Sequence, residues 1–188
     1  MMCFVKSFFG ARSISKSNKK WIVAALVLCG CAAAQNASPP SQSAESSKPA
    51  NMVLGLCSWE DWQKEAKWDD YEAADYVPDS LAVRKIAAKA QSPDITFLLF
   101  GGSWCGDSRD GMPKIFKVLR AAGIAPERTA VYGVDRKKRE ETGTAEKFQV
   151  KRVPTLIVLK AGQEIGRIVE TPTISWERDL AALLEKSE

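Results

Sequence analysis

Cys105, Ser108 and Arg109 stand within five positions of one another, shortly after a run, Ile95 to Phe100, that is apolar but for Thr96 and is closed by Gly101-Gly102. A short run of this kind reads as a strand buried on both faces. Beyond it Ile115, Phe116, Val118, Leu119 and Ala122 recur at helical spacing up to Gly123, a C-terminal stop. Cys105 therefore falls at or just before a helix N-terminus. The unpaired N–H groups and partial positive charge of a helix start favour thiolate over thiol, and the thiolate is the attacking form. Ser108, one turn on, is expected to donate a hydrogen bond to the sulfur, while Asp107 and Arg109 tune the local charge. The same pattern also fits a cysteine that serves only as a small buried hydrophobe.

The elements that must hold this thiol are legible on either side. Ser58-Trp59-Glu60-Asp61 has the form of a helix cap, and Trp59, Trp62 and Ala66 line one face of the helix that follows. Pro78-Asp79-Ser80 opens a second helix over Leu81 to Ala90. Ala130 to Asp135 reads as another buried strand, and Thr144 to Gln149 has room for one or two helical turns. That β–α segment is expected to be the crossover that makes its neighbouring strands parallel. Leu156 to Leu159, a turn at Ala161-Gly162-Gln163, and Glu164 to Val169 read as a β-hairpin, with a last helix over Ser175 to Glu185. Residues 58–188 suffice for one compact α/β domain and no second.

Trp104-Cys105-Gly106-Asp107-Ser108 resembles the Trp-Cys-Gly-x-Cys signature of the thioredoxin superfamily, with serine in place of the second cysteine. Pro113 falls where that family carries a proline inside the helix after the motif. Val153-Pro154-Thr155 is similar to its cis-proline loop, which faces the active cysteine. The resemblance covers Asp94 to Glu185 and extends to a group of bacterial thioredoxin-like lipoproteins. It implies a central mixed β-sheet flanked by helices, here with an N-terminal helical extension. It also implies Cys105 as nucleophile, Trp104 as a shield and contact surface, and Val153 with Pro154 as the substrate-docking loop, where backbone groups offer a strand edge to an extended peptide. Two departures concern the same half of the family's reaction. Ser108 cannot resolve a mixed disulfide, and Leu99 occupies the position of the buried acid that serves the resolving thiol. A site tuned to form or hold a mixed disulfide is the expectation.

The first 34 residues carry Lys6, Arg12, Lys16, Lys19 and Lys20 with no acid, then the apolar stretch Trp21 to Leu28 and small residues at Gly30 and Ala32 to Ala34. This is the pattern of a secretory signal peptide, too short in its apolar part for the ~20 residues of a membrane-spanning helix. Leu28-Cys29-Gly30-Cys31 resembles a bacterial lipobox, which implies a lipid on Cys31 and a membrane anchor. Cleavage after Ala34, which would leave a soluble secreted protein, is the alternative. Residues 31–57 then comprise the lipidated N-terminus and a Ser-, Pro- and Ala-rich linker.

Loss of the signal removes five of the 27 basic residues and none of the 23 acids, leaving 22 against 23, so the apparent +4 charge says nothing of nucleic acid. Arg136-Lys137-Lys138-Arg139 is the one concentrated basic run. Glu140-Glu141 neutralises half of it, and a solvated loop or a docking patch for an acidic partner are its two readings. Of five cysteines, Cys57 and Cys105 remain beyond the signal and lipobox. Cys57 would replace the missing resolving thiol if the extension crossed the active-site face; otherwise it packs under the extension helix. The chain has no histidine and no metal-ligand or phosphate-loop spacing, so no metal or cofactor is expected. The function expected is extracytoplasmic thiol–disulfide exchange, of oxidoreductase or isomerase type, with client proteins or small thiols through Cys105 alone. A redox-inactive peptide- or protein-binding lipoprotein is the alternative.

Overall fold

The computed structural model describes residues 52–68 and 73–186. The expected signal peptide, Cys31 and most of the linker lie outside the described residues. The order is β1 (Gly55–Cys57), α1 (Trp59–Ala66), α2 (Ser80–Lys89), β2 (Ile95–Gly101), α3 (Gly106–Ala121), a 3₁₀ turn (Pro126–Arg128), β3 (Thr129–Gly133), α4 (Thr144–Lys147), β4 (Thr155–Lys160), β5 (Gln163–Val169) and α5 (Trp176–Glu185). The five strands form one mixed sheet in the order β1-β3-β2-β4-β5.

Alternation along the two central strands divides the core. Phe97 and Leu99 of β2, with Leu156 and Val158 of β4, belong to a large cluster built with Trp62, Ile86, Met112, Ile115 and Leu180 from the four longer helices. Phe100, Ile157 and Leu159 point the other way, into a smaller cluster with Val134, Ala145, Val150 and Val153. Both faces are thus covered, which is why these runs are largely apolar rather than alternating. Helix ends are set locally. Ser58 Oγ accepts from the Asp61 N–H at 3.0 Å, and Asp79 Oδ1 accepts from Leu81 and Ala82 at the head of α2.

Two details differ from the sequence reading. The parallel pair is β2 with β3, and the crossover that joins them is α3. The β3–α4–β4 segment leaves and rejoins the same end of the sheet, so β4 runs antiparallel, next to β2. A parallel return needs a helix-length crossover, and α3 supplies it while the single turn of α4 does not. The extension before α1 also contains a strand. Gly55, Leu56 and Cys57 pair antiparallel with Gly133, Tyr132 and Val131, adding β1 outside β3. Gly133 makes room for this approach, because a Cβ there would lie 2.4 Å from the Val53 carbonyl oxygen.

Candidate functional site

Cys105 stands at the C-terminal end of β2, the centre of the sheet, as the N-cap residue of α3, with φ −104° and ψ 125°. Its N–H closes a tight turn on the Gly102 carbonyl at 2.9 Å, and its own carbonyl accepts the Arg109 N–H at 3.1 Å. The side chain is half-buried. The β4 strand begins at this same end, because Thr155 is paired with Phe100. The loop ahead of it therefore faces Cys105, and the Cys105 thiol donates to the Val153 carbonyl at 3.5 Å. The Val153–Pro154 peptide is cis. That loop is held on three sides: Val153 is buried in the smaller core, the Pro154 carbonyl accepts from the Glu170 N–H at 2.7 Å, and Thr155 Oγ1 donates to the Arg152 carbonyl at 2.7 Å.

Ser108 is wholly buried, and its bond differs from the one expected. Its Oγ accepts the Gly102 N–H at 3.1 Å. The hydroxyl thus ties the first turn of α3 back onto the turn from β2, and the sulfur bonds the Val153 carbonyl instead. Trp104 lies over Gly102, where a Cβ would meet the indole at 2.7 Å, and donates from Nε1 to the Val134 carbonyl at 2.9 Å. Leu99, in the position the resemblance gives to a buried acid, is fully enclosed in the large core. Asp107 and Arg109 are exposed on the first turn of α3. Asp107 also borders a groove of about 210 Å³ that runs along α3 towards Glu170 and Trp176.

Cys57 does not reach this site. It sits on β1, two strand spacings or about 10 Å from β2, at the level of Val131 and Leu99 rather than of Gly101. It borders a different groove, of about 580 Å³, together with Trp59, Phe116, Leu119 and Ile124. Phe116 and Leu119 are eleven and fourteen residues along α3 from Cys105, about 17–21 Å at the helical rise. A disulfide needs Cα atoms within about 7 Å, and none joins Cys57 to Cys105. The extension adds a strand to the sheet edge and packs α1 along α3, with Trp59 stacked on Phe116 at 4.3 Å. It does not bring a second thiol to the face that carries Cys105.

The sequence reading leaves one group out of the site altogether. The loop after β3 returns to Trp104: the Arg136 guanidinium lies 5.0 Å from the indole centroid and the Lys138 ammonium 5.5 Å. Among the described residues no cluster of three or more metal-ligating side chains occurs.

A strand ending in a Trp-Cys turn, a helix starting on that cysteine, and a loop carbonyl facing its sulfur are now in place. The family model described as thioredoxin matches residues 83–185, from α2 to the end of α5. The chain belongs to the thioredoxin family. No curated protein matches it. Solved thioredoxins resemble it at low identity. Thioredoxin O2 from Arabidopsis thaliana is 22% identical over 59% of this chain and 90% of its own, with a TM-score of 0.35. The germline-specific thioredoxin Deadhead from Drosophila melanogaster is 20% identical over 54% and 88%, with a TM-score of 0.36. A mutant thioredoxin from Halobacterium salinarum is 23% identical over 54% and 80%, with a TM-score of 0.35. The thioredoxin domain ties the chain, in general terms, to thiol–disulfide chemistry.

Proposed function

We propose that this thioredoxin-family chain is an exported protein, held at the bacterial cell envelope by a lipid on Cys31, that exchanges disulfides through Cys105 alone. The observation that carries the reading is the contrast between positions 105 and 108. A half-buried thiol stands at the head of α3, and three residues on, where the Trp-Cys-Gly-x-Cys signature has its second thiol, the side chain is a fully buried serine already bonded to Gly102.

In the step proposed, Cys105 gives up its proton to water and the thiolate attacks one sulfur of a client disulfide. The client S–S bond breaks, a Cys105–client S–S bond forms, and the displaced client sulfur leaves as a thiolate that takes a proton back from water. Ser108 has no sulfur with which to attack this adduct, and Cys57 lies too far away. Release therefore requires a second thiol from the client or from a small-molecule thiol, and the adduct is long-lived by default. Trp104 covers the turn that carries the cysteine, while Val153 and Pro154 present backbone to the client. Asp107 and Arg109 set the charge at the mouth.

The test is trapping in the exporting cell. The full chain is expressed, quenched in acid, alkylated, and separated without reductant after the membrane and soluble fractions are divided. The expectation is mixed-disulfide adducts in the membrane fraction that vanish in Cys105→Ala and move to the soluble fraction in Cys31→Ser. Equal patterns in wild type and Cys105→Ala would leave a thioredoxin fold used for binding without exchange. Adducts already soluble in wild type would overturn the anchor alone.

A further inference from the structure

Read in sequence, Arg136-Lys137-Lys138-Arg139 followed by Glu140-Glu141 is half-neutralised, but the fold engages Arg139 and Glu140 elsewhere, while Lys137 and Glu141 are exposed. Arg139 is taken by Asp135, whose carboxylate lies 3.1 Å from its guanidinium. The Glu140 carboxylate turns away to accept from the Thr142 hydroxyl and from the backbone N–H groups of Thr142, Thr144 and Ala145. Arg136 and Lys138 pair with no carboxylate among the described residues. They are laid over the indole of Trp104, and Lys138 also donates to the Arg136 carbonyl at 3.1 Å. Because β3 is the strand next to β2 and parallel to it, the loop leaving β3 arrives on the flank of Cys105. Lys151, exposed two residues ahead of Val153, adds a third cation near the docking loop. Nearby charges of the other kind are Asp107, and Glu170, which is held 2.7 Å from Arg152.

We propose that Arg136 and Lys138, spread over Trp104 beside Cys105, form a carboxylate-selecting rim that makes peptide segments with acidic residues next to their cysteine the preferred clients. The proposal rests on the exchange reading above. Trp104 is the direct chain neighbour of Cys105, and its indole lies over Gly102 and is bonded to the Val134 carbonyl. A carboxylate held by the cations on that ring therefore lies on the β3 side of the thiol, where a residue flanking a client cysteine can place its side chain. A cation on an aromatic face keeps its charge available while losing freedom to wander. Charge of one sign at the lip of a site raises the encounter rate of the opposite sign, an effect that salt removes.

The probes are two synthetic pentapeptides, Gly-Asp-Cys-Asp-Gly and Gly-Lys-Cys-Lys-Gly, each carrying its cysteine as the 2-pyridyl disulfide. Cys105 attacks the peptide sulfur, the pyridyl S–S bond breaks, and pyridine-2-thione leaves with the proton and is read by its absorbance. Rates are taken on the full-length chain after subtraction of the Cys105→Ser chain, and each is divided by the same peptide's rate with 2-mercaptoethanol. We expect the acidic peptide to react about tenfold faster than the basic one at low ionic strength, the ratio to narrow towards one at high salt, and R136Q/K138Q to bring it near one at low salt. Cys105-dependent release at equal rates from both peptides, or a ratio unchanged in R136Q/K138Q, would overturn the rim while leaving exchange intact. Release from neither peptide above the Cys105→Ser background would remove the exchange reading and the rim with it.

Discussion

At the scale of single residues, positions 102, 105 and 108 form a unit. The Gly102 N–H has one acceptor, the buried Ser108 hydroxyl. Ser108→Ala would leave that donor without a partner at a cost of about 1–3 kcal/mol. Ser108→Cys is the more informative change, since it puts a sulfur one turn from Cys105 in the same buried place. Under the proposed function its expected outcome is a disulfide between Cys105 and the introduced thiol under oxidising conditions, and adducts at Cys105 that decay at least tenfold faster. The lifetime of adducts on a non-reducing gel after alkylation checks this, and an unchanged lifetime would mean that a thiol at 108 cannot reach the Cys105 sulfur. Sequence places Cys105 correctly at the head of a helix, because strand, Gly-Gly and helical spacing are all local signals. It mispairs Ser108, because the choice between the sulfur and the Gly102 N–H is made by how the turn folds back on α3. Arg136 and Lys138 are invisible in sequence as neighbours of Trp104 for a related reason: only the pairing of β3 with β2 brings residues 32 and 34 positions away onto that ring.

Among the elements, the joint between α2 and β2 is held by one side chain from the turn before β3. The Arg128 guanidinium donates to the carbonyls of Ala90 at 2.5 Å, Ser92 at 2.6 Å and Ile95. These are the acceptors left over where α2 ends and the chain bends into the central strand. Arg128→Ala should cost about 2 kcal/mol or more in stability, because carbonyls that are part-buried lose their donor. Arg128→Lys should recover only part of it, since an ammonium lacks the planar fork that reaches three acceptors at once. Urea midpoints of the three chains measure the difference, and a wild-type midpoint in Arg128→Ala would refute the role. The same scale separates what patterning reveals from what it hides. Long elements with strong periodicity, α2, β2, α3, β4, β5 and α5, are readable to within a few residues. Strand β1 is not, because Gly-Leu-Cys is too short to show alternation and owes its conformation to β3 and to the space left by Gly133. Strand direction is misread at α4 because a β–α–β string in sequence does not say which side of β2 the third strand will take.

For the molecule as a whole, four carboxylates govern the response to acid. The Arg178 guanidinium on Asp79 holds that carboxyl below its ordinary range, helped by the Leu81 and Ala82 N–H groups. Burial pushes Asp135, Glu140 and Glu177 upwards, and hydrogen bonds outweigh it: from Arg139 to Asp135, from Thr142 and the start of α4 to Glu140, and from Tyr76 and Ser175 to Glu177. All four end below their ordinary values of 3.8 for Asp and 4.5 for Glu. A carboxyl that is more acidic in the folded chain stabilises it above the unfolded value, and that contribution is lost as pH falls through the folded one. Tyr76 has the opposite sense. Burial and the 2.5 Å hydrogen bond to Glu177 raise it well above its ordinary 10.0, so its contribution is complete below pH 10 and disappears only as pH climbs further. Stability is therefore expected to be level between about pH 5 and 9 and to fall steeply below about pH 4.5. Glu177→Gln should lower the plateau and flatten the acid limb. Urea midpoints from about pH 7 down to about pH 3 test it, and parallel acid limbs in wild type and Glu177→Gln would exclude Glu177 as a contributor.

The way the chain comes into the domain has a mechanical consequence. The Val53 N–H donates to Ser103 Oγ at 3.0 Å, and β1 then runs away from that point along the edge of the sheet. Ser103 is two residues from Cys105. The described chain thus begins at the thiol end of the sheet and not at the opposite pole. A pull applied at Met52 loads the Val53–Ser103 contact and the short β1–β3 ladder before any other part of the fold, so it would be felt first in the turn that carries the cysteine.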